Sequence, residues 1–160
     1  GWPEITRILK ASEQLLSDTL NGNEEKVARG LDQAHMEAAS ILTYNDENSL
    51  GCAIGLAYYS ARKDYRLIRE LPSGRGFADV VFLPLPSVKK PALVIELKYD
   101  KTANAAIQQI KDRQYTQALK GYTGEILLVG INYAKERKDK PHSCKIEKIR
   151  TAPSLGTGRI

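Results

Sequence analysis

Glu96 and Lys98 sit inside Pro91-Ala-Leu-Val-Ile-Glu-Leu-Lys-Tyr99, a run that is otherwise apolar. Such a run reads as a buried strand. Strand side chains repeat every two residues, so Glu96 and Lys98 share a face with Ala92 and Val94. A carboxylate and an ammonium are costly to bury unless they pair or bind a metal. Upstream, Gly76-Phe-Ala-Asp-Val-Val-Phe-Leu83 also reads as a strand and carries one acid, Asp79. An Asp on one strand and Glu-x-Lys on the next suit magnesium-dependent phosphodiester hydrolysis. Magnesium takes hard oxygen ligands in an octahedron and keeps several waters. Asp79 and Glu96 could supply two carboxylates, and the Leu97 carbonyl a further ligand. Lys98 would then lie near the attacking water and the scissile phosphate, where it could lower the water's pKa or stabilise developing charge. The competing reading is a structural ion pair between Glu96 and Lys98.

The elements that must position these residues follow from periodicity and breakers. Residues 4–20 read as a helix, with Ile5, Ile8, Leu9, Leu15, Leu16 and Leu20 at helical spacing. Asn21-Gly22-Asn23 should stop it and cap a second helix over about 24–41. A third helix, capped by Asp46 or Asn45, is expected to run to about 62. The period then changes, giving strands over 64–71, 77–83 and 92–99 with a turn cluster at Pro72-Ser-Gly-Arg-Gly76. A helix is expected over about 102–119. Glu125-Ile-Leu-Leu-Val-Gly-Ile131 is almost wholly apolar and reads as a central strand covered on both faces. Ser143-Cys-Lys-Ile-Glu-Lys-Ile149 alternates and reads as an edge strand. The order predicts an α/β fold with a mixed sheet flanked by helices. The expected division is a helical hairpin at 1–43 packed on a core at 44–150, then a flexible tail at 151–160.

Bulk properties narrow the setting. A chain of 160 residues, 42% hydrophobic and 27% charged, fits one globular domain. No apolar stretch approaches the ~20 residues of a membrane span. No secretory signal is visible, so a cytoplasmic location is expected. Cys52 and Cys144 have neither metal-ligand nor disulfide spacing and read as buried thiols in a reducing compartment. His35 and His142 stand alone in the sequence, which argues against a zinc site or a Ser-His-Asp triad. The net charge is +5. Residues 132–150 hold Lys135, Arg137, Lys138, Lys140, Lys145, Lys148 and Arg150 against Glu136, Asp139 and Glu147, a surplus of four. That surplus fits a nucleic-acid partner, although on charge alone a solvated hairpin is the plainer reading.

Three segments together resemble a known family: Ser73-Gly-Arg-Gly-Phe-Ala-Asp79, then Val94-Ile-Glu-Leu-Lys98, then Ala106-Ile-Gln-Gln-Ile-Lys111 with Tyr115. They resemble the PD-(D/E)XK nuclease superfamily, and more narrowly the C-terminal nuclease-like domain of bacterial AAA-ATPase-like proteins. Ala78 stands where the family usually has Pro. The resemblance implies a restriction-endonuclease-like α-β-β-β-α-β core and a hydrolase that cuts nucleic acid, with DNA the expected substrate. It implies a magnesium cofactor, with manganese as a substitute. It also implies that Glu47 joins the site from the helix before the first strand, where a capping role is the equal alternative, that Gln109 faces the metal, and that Tyr115 lines the site or packs beside it. Arg75 and Lys101 are candidate contacts to the nucleic-acid backbone. An ATPase domain in a longer protein and a homodimer are the implied protein partners. The alternative function is a non-catalytic nucleic-acid-binding or assembly domain of an ATPase-coupled system.

Overall fold

The computed structural model describes residues 1–41, 54–69, 79–112 and 119–150, with the backbone alone at 38–41, 69 and 79. Helix α1 spans Trp2–Leu20 and opens with Pro3, whose fixed φ suits the first turn. It ends where Gly22 takes φ +71, a left-handed conformation that glycine adopts without a steric penalty. Asn23 then caps α2 (Glu24–Ile41): its Oδ1 accepts the Lys26 N–H at 3.2 Å. Both ends of this turn match the sequence expectation.

A helical turn at 54–57 and a short 3-10 helix, Tyr59–Lys63, lead into the sheet. The expected third helix therefore closes as a tighter 3-10 segment in its described part. The strands are β1 (Tyr65–Arg69), β2 (Asp79–Pro84), β3 (Ala92–Tyr99), β4 (Glu125–Tyr133) and β5 (His142–Arg150). They lie in sequence order in one sheet. Every pairing is antiparallel except β3 with β4, which are parallel and joined across helix α3 (Ala103–Asp112). A parallel pair needs such a crossover. The architecture is a mixed α+β fold of the restriction-endonuclease-like type.

Alternation along the central strands sorts two cores. Leu93, Ile95 and Leu97 of β3 and Leu127, Val129 and Ile131 of β4 face the hairpin, where Leu15, Leu16, Val27 and Leu31 meet them. Ala92, Val94, Ile126 and Leu128 face the other way, against Ile107 and Ile110 of α3. Strand β4 is buried from Ile126 to Asn132, as a central strand covered on both sides must be. It runs two residues beyond the expected Ile131, because Asn132 and Tyr133 continue the ladder to Lys98 and Tyr99.

The hairpin is held by polar ties as well as by packing. Ser12 Oγ accepts the Ser60 N–H at 2.9 Å, and Thr19 Oγ1 lies 2.9 Å from the Tyr58 hydroxyl. Helix α2 meets the outer strand through two acids. Glu24 Oε2 accepts the Ile146 N–H at 2.8 Å, and Asp32 Oδ1 accepts the His142 N–H at 2.9 Å. These carboxylates take up backbone donors of an edge strand. His142 is therefore not a solitary histidine of a basic patch. It is buried, and its Nδ1 lies 2.7 Å from Asp32 Oδ1. The sequence could not reveal that partner, which stands 110 positions away. Among the described residues, no helix is long and apolar enough to cross a membrane.

Candidate active site

Two rows of the sheet position the site. Antiparallel pairing sets Asp79 opposite Glu96. Parallel pairing sets Glu96 beside Gly130 and Lys98 beside Asn132. Glu96 and Lys98 continue the alternation of Ala92 and Val94, so they lie on the α3 face, as expected from the sequence. Glu96 is 0% exposed. Lys98 is half-buried, and its Nζ donates to Gln109 Oε1 on α3. Gln108, the next residue, is exposed and bonds Asp112 Oδ1 at 2.9 Å on its own helix. A single step along the helix thus separates a glutamine that meets Lys98 from one that does not.

Helix α3 is aimed at this row by the turn before it. Thr102 Oγ1 accepts the Ala105 N–H at 2.9 Å, which caps the helix. Asp100 takes φ +51, a left-handed turn that Asp tolerates better than most residues. Its N–H donates to the Tyr133 carbonyl at 2.8 Å, and its Oδ1 accepts the Lys135 N–H at 3.0 Å. Asn132 is 4% exposed and accepts the Lys101 N–H through Oδ1 at 2.9 Å. The turn after β3 is therefore stitched to the end of β4.

Gly130 allows the helix to sit this close. A Cβ there would stand 2.5 Å from the Ala103 carbonyl oxygen and 2.9 Å from Ile107 Cγ1. A glycine inside a strand often marks close backbone approach, and here the approaching backbone is that of α3 beside the Glu96 row. Sequence reasoning passed over Gly130, Asn132 and Thr102. The available signal was a lone glycine in an otherwise apolar strand.

The remaining expected site residues divide between the described and the undescribed. Leu97 is buried, with its side chain in the core on the hairpin side, so only its backbone could serve the site. Lys101 is exposed at the start of the turn. Asp79 is described in its backbone register alone, and Glu47, Arg75 and Tyr115 lie outside the described residues. Nearby, burial and the neighbouring Tyr99 and Asp100 push the Tyr133 phenol above its ordinary pKa, so it stays protonated.

A family model of the PD-(D/E)XK nuclease superfamily matches residues 46–142. The chain belongs to this superfamily. Its members are generally nucleases, and they typically use divalent metals such as magnesium. No curated protein matches the sequence. The matched span contains strands β1 to β4 and the first residue of β5, and it excludes the hairpin. Among the described residues, no three His, Cys, Asp or Glu side chains gather as a metal cluster. The row instead offers carboxylate and carbonyl oxygen. That donor set fits magnesium, which retains waters, better than zinc, which favours nitrogen and sulfur.

Proposed function

We propose that the chain is a metal-dependent nuclease that hydrolyses phosphodiester bonds in DNA. The observation that carries this reading is the cross-strand row of Asp79 and Glu96, with Lys98 next on the same face as Glu96. Opposed positions on an antiparallel pair have Cβ atoms about 5 Å apart, close enough for two acids to share one cation. Asp79, Glu96 and the Leu97 carbonyl would hold magnesium. The ion supplies positive charge that acidifies a bound water and offsets charge on the phosphate. Lys98 holds its ammonium beside the water and the scissile phosphate, and Gln109 fixes the direction of that long side chain. The close seat of α3 on Gly130 keeps Gln109 in reach. Lys101, Arg75 and Tyr115 are assigned to the nucleic acid, and Glu47 to the metal or its water. Burial pushes the Cys144 thiol well above its ordinary pKa, which fits an inert structural thiol.

One observation favours a second reading. Trp2, Ile5 and Leu9 form a stripe on α1 at spacings of three and four, and they are 79%, 48% and 38% exposed. In that reading the hairpin, residues 1–43, docks on another component of an ATPase-coupled assembly, and the core at 44–150 need not cut.

Cleavage of labelled single-stranded, double-stranded and branched DNA, and of RNA, in magnesium, manganese or EDTA separates the two. Metal-dependent cutting by the wild type that is lost in Lys98→Ala supports the nuclease. A wild type that neither cuts nor takes up magnesium by calorimetry moves the function to assembly.

A further inference from the structure

The β4–β5 turn is the strongest charged feature outside the site. Lys135, Arg137, Lys138 and Lys140 are exposed there, with Glu136 and Asp139 among them. Because β3 and β4 are parallel, this turn leaves the sheet at the same end as Glu96 and Lys98. It is a built structure: the Ala134 N–H donates to the Pro141 carbonyl at 2.7 Å, and the Arg137 N–H to the Ala134 carbonyl at 3.1 Å. It is also tied to the turn that carries Lys101. Asp100 Oδ1 accepts the Lys135 N–H, and Asn132 accepts that of Lys101. Among the described residues, Lys140 has an ion-pair partner, Glu25 at 4.0 Å, whereas none is found for Lys135, Arg137 or Lys138.

We infer that Lys101, Lys135, Arg137 and Lys138 form a backbone-tracking surface that holds the flank of a nucleic-acid substrate beyond the bond being cut. The inference rests on the nuclease reading and adds a substrate-length requirement to it. Tyr133 lies three residues past the Glu96–Gly130 row, roughly 10 Å at ~3.3 Å per residue, and the basic turn extends further. A nucleic-acid strand carries one charge per ~3.4 Å of duplex axis, so the turn reaches phosphates roughly three to six nucleotides from the cut. Such contacts carry no base information. They release counterions, and so they act through affinity and its salt dependence.

The test uses the full chain with Lys135, Arg137 and Lys138 all changed to Gln, beside a control in which Lys10, Lys63 and Lys89 become Gln. The control residues are exposed; Lys63 precedes β1 and Lys89 precedes β3, at the end of the sheet opposite the turn, and Lys10 lies on α1. Binding of a labelled 20-nucleotide strand and its duplex is followed by anisotropy from 50 to 200 mM NaCl, with calcium replacing magnesium. The turn variant should bind about tenfold or more weakly at the lowest salt, with a log–log salt slope shallower by about 2–3, and the control should stay near wild type. In magnesium, its cleavage defect should grow as the substrate flank lengthens past about five nucleotides. Equal losses in the turn variant and the control would reduce the effect to net charge and overturn the inference. So would a turn variant that binds like a wild type that does bind. A wild type that neither binds nor cuts would overturn this inference together with the nuclease reading.

Discussion

Asp32 and Glu96 are acids that meet the same sheet from opposite sides. Asp32 reaches β5 from α2, and one of its oxygens takes both the backbone N–H and the ring Nδ1 of His142. Glu96 belongs to β3 itself, is wholly buried, faces α3, and has another acid, Asp79, as its register partner. An acid supplied with donors holds elements together. An acid opposed by an acid gains nothing from that neighbour until a cation arrives. The hairpin seam is thus arranged for stability, whereas in the proposed nuclease the Glu96 row would serve to hold a cation.

The largest expected effect is at the Glu96 row. Glu96→Gln and Lys98→Ala should each lower cleavage by about 10²–10⁴. Glu96→Gln should leave the metal-free melting temperature unchanged or raised, because one of two opposed acids is gone. A loss of several kcal/mol instead would place Glu96 with Asp32 as a structural acid and remove the contrast.

The opposite signature is expected at the seam. Asp32→Ala orphans two donors of His142, at about 1–3 kcal/mol for each buried group left unsatisfied. Asp32→Asn keeps one acceptor oxygen and should recover part of that loss. Chemical denaturation measures both. Cleavage assayed well below the melting temperature should change less than twofold in either variant. A large activity loss without loss of stability would mean that the seam serves the chemistry directly.

Both regions were written in the sequence to different depths. The Glu96 row was legible because its signal is local: two charges at strand spacing inside an apolar run, and an acid in the preceding strand. Strand β3 has the expected limits, 92–99, and Asn23 caps α2 as its side chain suggests. The seam was not legible. Asp32 looks like any solvent-facing acid on a helix, and His142 like any strand-start histidine, until the fold brings them together. The position of α3 was hidden for the same reason, since Gly130 needs Ala103 and Ile107 above it before its missing side chain means anything. Gln109 was separable from Gln108 only through the family resemblance, because both lie on one helix and only the seat of that helix decides which one meets Lys98.

Gly130→Ala sharpens the comparison from the other direction, because it disturbs the site without touching a charge. The new methyl would press on the Ala103 carbonyl, a backbone atom with no rotamer to yield. Helix α3 must then lift or the strand must bend. Overpacking of this kind costs about 1–3 kcal/mol. If Gln109 orients Lys98, cleavage should fall further than stability alone explains, with kcat affected more than KM. Gln109→Ala in the same assay should reproduce the kcat part without the stability loss. Should Gly130→Ala lose stability alone, the seat of α3 would matter to folding and not to the orientation of Lys98.

The smallest expected effect is a pH dependence confined to the seam. His35 lies 4.7 Å from the Tyr133 ring and 5.5 Å from that of His142, measured between ring centroids. Burial lowers its pKa below the ordinary 6.5, the neighbouring His142 lowers it further, and Asp32 opposes both. A lowered folded-state value means that the unfolded chain binds the proton more readily than the native one. Stability from neutral His35 is therefore fully present above about 6.5, and it is lost as pH falls from there through the folded-state pKa. His35→Phe keeps a ring against Tyr133 and removes the proton site. Melting temperatures of wild type and variant should run parallel above pH 7 and diverge below about 6.5, with the wild type falling faster. The groups that face His35, namely His142, Asp32 and Tyr133, remain in both proteins, so the difference isolates one imidazole. Curves that stay parallel through pH 5 would mean that Asp32 fully offsets burial there, and the seam would carry no acid sensitivity of its own at His35.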